Sequence, residues 1–409
     1  MDLLFLTPQL PYPAHQGTSL RNLHIIRGLA DDNRITLLSF AEEGEGQEIA
    51  PQLSALCEHV VTVPAPQRSM RRRLWQLVSS GQPDMALRLY SPEFSGALAS
   101  LLNGRSFDIV QIEGIEMSWT VPVLQQAAPK LPLVYDAHNA ETLLQARSGA
   151  ADKKRIQRWP AVIYSSLQSS RLASYEAWVC NTADRVTAVS EADREALQNL
   201  AGLPNNAVTV IPNSIDVSAY QTAEAPPAQQ YRFDVVFSGK MDYRPNVDAV
   251  LWFAEAVWPL IKKEVPTATW AVVGQKPHAR LAGLAQLPDV TVTGWVPEVQ
   301  PYLSGATVFV MPFRVGSGTR LKLIEALAAG KAVVSTRVGV EGFPVEDGRQ
   351  LLVSDTAPEF AASTVTLLKN AEQRTALGVQ GQLFAQRYDW RVIIPRFQSL
   401  YDEIGMETL

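Results

Sequence analysis

Residues 308–330 of this 409-residue chain read VFVMPFRVGSGTRLKLIEALAAG. A short apolar run is followed by a glycine-rich turn and then by apolar residues at helical spacing. This order predicts a buried strand, a loop and a helix. Free N–H groups at the start of such a helix attract anions, so the turn is a candidate phosphate site. An ordinary strand–turn–helix connection, with glycine only for tightness, is the structural alternative.

The same alternation of short apolar runs and amphipathic segments extends along the whole chain. In the first half we predict strands at 3–6, 35–40, 60–63, 107–112, 133–136, 186–189 and 208–211. In the second half we predict strands at 234–237, 268–273, 290–293, 308–311, 332–335 and 351–353. Strands separated by helices indicate βαβ units, so the predicted class is α/β with parallel sheets buried on both faces.

One segment interrupts this pattern. Residues 213–232 are polar, contain proline and have no periodicity, which is typical of an interdomain linker. We therefore predict two doubly wound α/β domains, at 1–212 and 233–386, followed by a C-terminal helical segment at 387–409. In open α/β sheets, ligands bind beyond the carboxyl ends of the strands, so the loops after those strands are the places to search.

The composition excludes several classes of protein. The formal net charge is −5, whereas a dedicated nucleic-acid binder has a basic excess, so we expect no nucleic-acid partner. Two cysteines, Cys57 and Cys180, cannot form a disulfide framework. No apolar run is long enough to span a membrane, and the N-terminus has no basic region preceding its apolar run. We therefore expect neither a membrane span nor a signal peptide, and a cytoplasmic location.

The motif search removes further classes. No glycine-rich dinucleotide fingerprint follows a strand, and neither a P-loop nor a Gly-x-Ser-x-Gly nucleophile elbow occurs. The five histidines are scattered, and no Asp-x-Asp pair is present to hold a metal on a diphosphate. We therefore expect no cofactor and no metal. A bound diphosphate would have to be neutralised by lysine, arginine and backbone amides.

A second strand-end loop carries suitable cations. Residues 237–246 read FSGKMDYRPN, in which a predicted strand runs into a loop containing Lys240 and Arg244. Both side chains are candidates to bind the same anion as the turn in 308–330. Two solvated basic side chains are the alternative.

Together these loops resemble the family 4 glycosyltransferases of the GT-B fold. The matching motifs, in chain order, are QG at 16–17, DAHN at 136–139, VS at 189–190, IPNSID at 211–216, VVG at 272–274, TGWV at 293–296, EALA at 325–328 and YDW at 388–390. The resemblance implies two Rossmann-like domains facing across a cleft. It also implies acceptor binding by the N-terminal domain, nucleotide-sugar binding by the C-terminal domain, and a last helix that returns to the N-terminal domain.

The resemblance assigns donor-side roles to five residues that match the family's motifs. Gly239 and Lys240 correspond to the pair that meets the diphosphate. The backbone of Val296 corresponds to the contact with the base, and Glu325 to the acid that binds the ribose. Gly17 corresponds to the N-terminal loop amide beside the phosphate.

His138 corresponds to the family's histidine beside the transferred sugar, where its backbone carbonyl or its ring supports the transition state. Asn139 and Glu141 follow it and are predicted on the acceptor side, although Glu141 also suits an ordinary first helical turn. The predicted catalytic residues are His138, Lys240 and Glu325.

The chain departs from the family pattern at two places. Ser317 stands where the family has the first of two glutamates, and the family's downstream Lys-Gly is missing from the loop that holds Arg244. Arg320 is the candidate replacement cation, but it can equally bond the loop. We predict donor contacts from this whole turn: Gly316, Ser317, Gly318, Thr319 and Arg320.

The resemblance implies a retaining glycosyltransferase that moves a sugar from a nucleotide-diphosphate donor to a glycan or lipid-linked acceptor in surface polysaccharide synthesis, without metal. Two other classes stay open. A nucleotide-sugar epimerase of the same fold would need paired carboxylates and histidine, for which only His138 and Glu141 qualify by sequence. A catalytically degenerate nucleotide-sugar-binding protein is compatible with Ser317.

Residues 60–175 carry 13 Lys and Arg against 8 Asp and Glu. The basic clusters are Arg68 with 71–73 beside Trp75, and 153–158 beside Trp159. Basic residues next to tryptophan and leucine suit peripheral contact with an anionic membrane at its inner face. Two solvated helix faces are the alternative.

Overall fold

The computed structural model describes residues 1–14, 17–42, 50–69, 80–152, 159–221, 228–316 and 318–408. Within 147–152 and 159–167 it describes the backbone alone.

Seven parallel strands form the first sheet. They are β1 (Asp2–Thr7), β2 (Arg34–Ala41), β3 (His59–Pro64), β4 (Ile109–Glu113), β5 (Leu133–Ala137), β6 (Arg185–Ala188) and β7 (Val208–Val210). Their spatial order is β3-β2-β1-β4-β5-β6-β7. The chain reverses direction across the sheet between β1 and β4, which is where a doubly wound sheet opens a ligand crevice.

Six parallel strands form the second sheet. They are β8 (Phe233–Ser238), β9 (Trp270–Val273), β10 (Val290–Val292), β11 (Ala306–Met311), β12 (Ala332–Ser335) and β13 (Leu352–Val353). The order β10-β9-β8-β11-β12-β13 repeats the arrangement of the first sheet and puts its switch point between β8 and β11. These two sheets confirm the prediction of parallel α/β sheets. The strands could be recognised in the sequence because a strand buried on both faces is a continuous apolar run.

Helices connect the strands. In the first half they are α1 (Gly17–Leu29), α2 (Pro51–Ser54), α3 (Asp84–Arg88), α4 (Pro92–Gly104), α5 (Val121–Ala127), α6 (Glu141–Asp152), α7 (Trp159–Thr182) and α8 (Glu191–Ala201). In the second half they are α9 (Ser218–Gln221), α10 (Arg244–Trp252), α11 (Trp258–Glu264), α12 (Gln300–Gly305), α13 (Leu321–Ala328), α14 (Ala357–Lys369), α15 (Ala371–Ala385), α16 (Trp390–Ile393) and α17 (Pro395–Thr408).

The chain divides into two compact units, one of Met1–Asn213 with Ile393–Leu409 and the other of Ser214–Val392. These boundaries differ from the predicted ones. The predicted linker at 213–232 contributes to the second unit, because Ile215 forms a β-bridge with Asp389 and the Val217 amide donates to the Asp389 carboxylate at 3.1 Å. Residues 222–227 of that segment lie outside the described part.

The last helix, α17, belongs to the first unit. Its Tyr401 hydroxyl donates to the side-chain oxygen of buried Gln111 on β4, and its Phe397 ring lies 5.4 Å from the guanidinium of Arg21 on α1. Just before α17, Ile394 packs against Gly28 so closely that a Cβ on that glycine would lie 2.6 Å from the isoleucine Cγ2. The C-terminal segment therefore closes one face of the first unit.

This close approach predicts opposite effects for two glycine-to-alanine changes. Gly28→Ala should destabilise the first unit by about 1–3 kcal/mol, because the new methyl group overpacks Ile394. Gly96→Ala, in helix α4 where no atom lies within 4 Å of the new Cβ, should stabilise it by about 0.5–1 kcal/mol through helix propensity. Urea unfolding measures both. Equal effects would contradict the packing of Ile394 on α1.

Candidate functional site

The switch point of the second sheet brings together the two loops that the sequence singles out. Strand β8 ends at Ser238 and continues into the Gly239–Lys240 turn, whereas β11 ends at Met311 and continues through 312–320 into helix α13. Because β8 and β11 are hydrogen-bonded neighbours, the two loops start side by side at the carboxyl edge. The elements of the predicted donor site thus meet within one unit.

Lys322, the second residue of α13, joins these two loops. Its Nζ donates to the backbone carbonyl of Ser238 at 2.8 Å and to Oδ1 of Asn246 at 3.0 Å. The side-chain nitrogen Nδ2 of Asn246 in turn donates to the backbone carbonyl of Lys240 at 2.8 Å. This role of Lys322 is not visible in the sequence, because its position in a helix does not show which strand end it faces.

Gly239 is required by this close packing. A Cβ at that position would lie 2.5 Å from Nζ of Lys322 and 2.8 Å from the amide nitrogen of Asn246. Nζ also lies 4.9 Å from the centre of the Phe237 ring and 5.1 Å from that of Phe313. Burial among these groups lowers the pKa of Lys322 to about 7, although the nearby Glu325 carboxylate acts to raise it.

Arg320 bonds the loop, which is one of the two alternatives that the sequence left open. Its Nη1 donates to the carbonyl of Val338 at 2.6 Å and, at 3.4 Å, to that of Gly318, and the guanidinium lies 4.7 Å from the centre of the Phe313 ring. Gly318 has φ of +77°, a conformation that favours glycine. Arg320 therefore helps to hold the shape of the turn between β11 and α13.

Glu325 lies one turn along α13 from Lys322. The hydroxyl of Tyr220, on α9, donates to its carboxylate. Burial raises the pKa of Glu325, while this hydrogen bond and the charge of Lys322 act to lower it. Glu325, the carboxylate predicted to bind the ribose, is thus held in place by the hydroxyl of Tyr220.

The other predicted donor residues of this unit are more open. Lys240 has 42% of its side chain exposed, and its Nζ lies 3.8 Å from Asp242. Arg244 is exposed at the first position of α10, and half-buried Val296 packs against the core of the unit. Thr319 is half-buried beside Arg320, whereas Ser317 lies outside the described residues. The structure thus groups Gly239, Lys240, Gly316, Gly318, Arg320 and Glu325 with Lys322.

In the first unit, His138 lies directly after β5 and contacts two carboxylates. Its Nε2 lies 2.9 Å from Oε2 of Glu113, the last residue of β4, and 3.5 Å from Oδ2 of Asp136. Glu113 and Asp136 are paired in the strand register, so both carboxylates reach the same edge of the sheet. Neither carboxylate was predicted as a site residue from the sequence, although each ends an apolar run on neighbouring strands.

Arg21 neutralises this cluster from helix α1. Its Nε and Nη2 bond the two oxygens of Asp136, each at 2.7 Å. Gln111 donates to Oε1 of Glu113 at 2.6 Å, and the side-chain nitrogen of Asn22 donates to Oε2 at 2.8 Å. The two carboxylates and His138 lie close enough to share a metal ion, but Arg21 and the protonated imidazole already supply the positive charge.

In this cluster the neighbouring charges and hydrogen bonds outweigh burial in setting the pKa values of Asp136 and His138. Burial acts to raise the pKa of Asp136, but Arg21 and His138 outweigh it, and the pKa lies far below its usual range. Burial acts to lower the pKa of His138, but its hydrogen bonds to Asp136 and Glu113 raise it to about 9. The imidazole is therefore a cation at neutral pH, and its ring is not a general base there.

The predicted acceptor residues follow in the chain. Nδ2 of Asn139 donates to Oε1 of Glu141 at 3.1 Å, and burial raises the pKa of Glu141 to about 7. The carboxylate of Glu176 accepts from the backbone amides of Glu141 at 2.7 Å and Thr142 at 3.0 Å, which caps helix α6. Gly17 is the exposed first residue of α1.

Two family models match this chain. The one described as "Glycosyltransferase Family 4" matches residues 21–219, and the one described as "Glycosyl transferases group 1" matches residues 232–370. Between them they account for most of both units. The chain belongs to the family 4 glycosyltransferases.

Relatives of known sequence agree with this assignment. The chain is 27% identical over 211 residues to a phosphatidyl-myo-inositol mannosyltransferase of Mycolicibacterium smegmatis, covering 48% of this chain and 52% of that protein. It is 25% identical over 179 residues to an uncharacterised 44.6 kDa protein in the cps region of Klebsiella pneumoniae, covering 42% and 45%. The chain thus matches about half the length of these curated relatives.

Solved structures share the fold. HepE of Anabaena, crystallised with UDP and glucose, aligns over 98% of this chain and 100% of its own with a TM-score of 0.68 and 16% identity. At that identity the likeness shows the fold alone. The expectation of a GT-B-type α/β architecture is confirmed.

The predicted membrane-contact clusters lie almost wholly outside the described residues and side chains. Within the described part, Arg68 pairs with Asp84 at 2.6 Å, and no helix is both long and apolar enough to cross a bilayer.

The cluster around His138 predicts a titration. Glu113→Gln should lower the pKa of His138 from about 9 toward its ordinary value, because one of its two carboxylate partners is lost. In the wild type, the stability contributed by the raised pKa is complete below about pH 6.5 and disappears as the pH rises through 9. Nuclear magnetic resonance of the imidazole and urea unfolding at several pH values measure both effects.

The matched control is Glu116→Gln, which removes a carboxylate that pairs with Arg88 and leaves Glu113 in place. Its His138 should titrate as in the wild type. A His138 pKa near 9 in Glu113→Gln would contradict the assigned pairing.

Proposed function

We propose that this protein is a retaining glycosyltransferase that moves a sugar from a nucleotide-diphosphate sugar to a glycan or lipid-linked acceptor, without a metal ion. The observation that carries the proposal is the junction of the Gly239–Lys240 turn with the start of α13 at the switch point of the second sheet. Membership of family 4 supports the transferase class, and the UDP-glucose complex of HepE supports the donor class.

The donor half of the reaction requires stabilisation of the leaving diphosphate. Lys240 offers a partly exposed ammonium within the turn, and α13 directs the positive end of its dipole toward the same edge. Fixed dipoles and cations stabilise developing negative charge without reorganising during the reaction. These groups make a metal ion unnecessary for neutralising the diphosphate.

Glu325 supplies selectivity for the nucleoside. A ribose diol would replace the hydroxyl of Tyr220 as the donor to this carboxylate. A deoxyribose would leave part of that hydrogen bonding unmade, at a cost of about 1–3 kcal/mol.

The sugar half concerns the first unit, where the charge states favour a same-face mechanism. A double-displacement mechanism needs a free carboxylate nucleophile. Glu113 and Asp136 are both buried and bonded to Arg21, His138, Gln111 or Asn22. We infer that the leaving phosphate deprotonates the acceptor hydroxyl. The acceptor oxygen then attacks the anomeric carbon on the same face from which the nucleoside diphosphate departs.

His138 then acts through its backbone carbonyl. A protonated ring would repel the positive charge that develops at the anomeric carbon, whereas a carbonyl oxygen attracts it. The carboxylates around the ring thus fix the position of the main chain. Asn139 and Glu141 are proposed to orient the acceptor hydroxyl.

The acceptor class and pathway are proposals at a coarser level. The relative encoded in a cps region supports a role in surface polysaccharide synthesis, and the mannosyltransferase relatives act on a phosphatidyl-myo-inositol, as their name states. Peripheral contact with an anionic membrane at the cytoplasmic face is the arrangement that a lipid-linked acceptor would require.

Thermal unfolding with a panel of nucleotide sugars and nucleoside diphosphates, with and without EDTA, tests the donor site. One nucleotide series should raise the melting temperature of the wild type equally in both conditions, because a ligand of the folded state stabilises it by mass action. Lys240→Ala and Glu325→Ala should weaken this shift. A shift that EDTA abolishes would contradict metal independence.

The stereochemical prediction uses the anomeric proton of the product. Proton magnetic resonance should show the donor's anomeric configuration retained in the newly formed linkage. Intact-mass measurement during turnover should show no covalent sugar on the protein. A trapped glycosyl-enzyme, or an inverted product, would contradict the same-face mechanism.

A further inference from the structure

We propose that Lys322 is the second positive charge of the diphosphate site, acting as a positioning residue that fixes the Gly239–Lys240 turn from beneath. This inference rests on the proposed donor site and deepens it. The resemblance implies a second cation, in a Lys-Gly pair downstream of Lys240, which this chain lacks; the inference assigns that work to a cation on α13.

The ammonium of Lys322 lies beside the loop that follows β8. Lys322 starts from the helix that follows β11, yet its Nζ donates to the last carbonyl of β8. A methyl group on Gly239 would lie 2.5 Å from that nitrogen. The Lys322 ammonium is therefore directly beneath the Gly239–Lys240 turn. Lys240 is the residue of this turn that is predicted to contact the diphosphate.

This ammonium fixes the backbone around Gly239 and Lys240. Nζ of Lys322 orients the Asn246 side chain by bonding Oδ1, and the other end of that amide bonds the carbonyl of Lys240. The peptide groups that precede Gly239 and follow Lys240 are thus fixed by one side chain and its amide partner. Removal of Lys322 releases the carbonyl of Ser238 and leaves Asn246 without the donor that sets its orientation.

The bonds that Lys322 makes do not by themselves require a charged side chain. Carbonyl and amide oxygens can be satisfied by a neutral donor, so structure alone does not require a charge that costs desolvation. The charged groups nearest this ammonium are Glu325 and Arg320, from α13 and its N-cap; Lys240 and Asp242 belong to the adjoining loop. A bound diphosphate adds two negative charges, and these favour the protonated lysine.

This arrangement makes donor affinity depend on pH in a defined direction. The pKa of Lys322 is about 7 in the free protein, and a neighbouring anion raises it. Binding of a nucleotide sugar is then tightest below pH 7 and weakens as the pH rises. With a pKa of about 7 in the free protein, an increase of about one unit on binding corresponds to a roughly sevenfold loss of affinity between pH 6 and pH 8.5.

The experiment compares Lys322→Met with the wild type by calorimetry, using the tightest-binding of UDP-glucose, GDP-mannose and ADP-glucose and the corresponding nucleoside. Nucleotide sugars are suitable because their diphosphate is a diester with no titration in this range. Lys322→Met should bind the nucleotide sugar about tenfold more weakly at pH 6, bind the nucleoside as the wild type does, and lose the pH dependence. Lys322→Arg should retain affinity at pH 8.5.

Lys331→Met is the matched control. Lys331 is also a partly buried lysine bonded to backbone carbonyls, those of Ser304 at 2.6 Å and Ala306 at 3.3 Å. Ala306 is the first residue of β11, so this lysine lies at the opposite edge of the sheet. Lys331→Met should change thermal stability without changing nucleotide-sugar affinity or its pH dependence.

A second measurement needs only the wild type. Competitive acetylation followed by peptide mass spectrometry gives the titration midpoint of each lysine, and the nucleotide sugar should raise that of Lys322 and leave that of Lys331 unchanged. An unchanged Lys322 midpoint, or nucleotide-sugar affinity in Lys322→Met equal to the wild type, would overturn the inference while leaving the donor site in place. If the wild type binds none of the three nucleotide sugars, both the proposed function and the inference fail.

Discussion

The burial of a cation at the carboxyl edge of each sheet is the constraint on which both units depend. In the first unit Arg21, on α1, bonds Asp136 at the end of β5, and in the second unit Lys322, on α13, bonds the last carbonyl of β8. A charge removed from water is tolerated only when neighbouring groups replace its hydration. The residues around each cation therefore have to supply these groups, in addition to any contacts that a ligand requires.

The two units meet this constraint in different ways. Arg21 is paired with Asp136 in bidentate geometry, and the resulting cluster extends through His138 and Glu113 to Tyr401 on the last helix. Its charges balance within the protein, so the cluster is suited to holding the backbone at His138. Lys322 instead bonds uncharged oxygens, and Glu325 acts on it as a counter-charge. The second site retains a positive field for an anion.

The sequence determined the strands well and the charged contacts poorly. Runs such as 308–311 identify β11 because a strand buried on both faces is apolar throughout. The loops that contain Lys240 and His138 could be found because they directly follow such runs. Glu113 and Lys322 could not be placed in the same way, since their partners depend on which strands are neighbours and on the direction of a helix face. Strand order is a long-range property that the local pattern does not contain.

The missing family glutamate and the presence of Lys322 are physically related. In the sequence, position 317 lies eight residues before Glu325, so a carboxylate there would add a second acid to this segment of the chain. Serine removes that negative charge, while Lys322 places a positive charge beside Gly239. At the donor site that we propose, both differences favour binding of the diphosphate and remove a charged contact with the sugar hydroxyls. Because the diphosphate is common to all nucleotide sugars, selectivity among them then comes from the nucleoside and from neutral groups that bond the sugar.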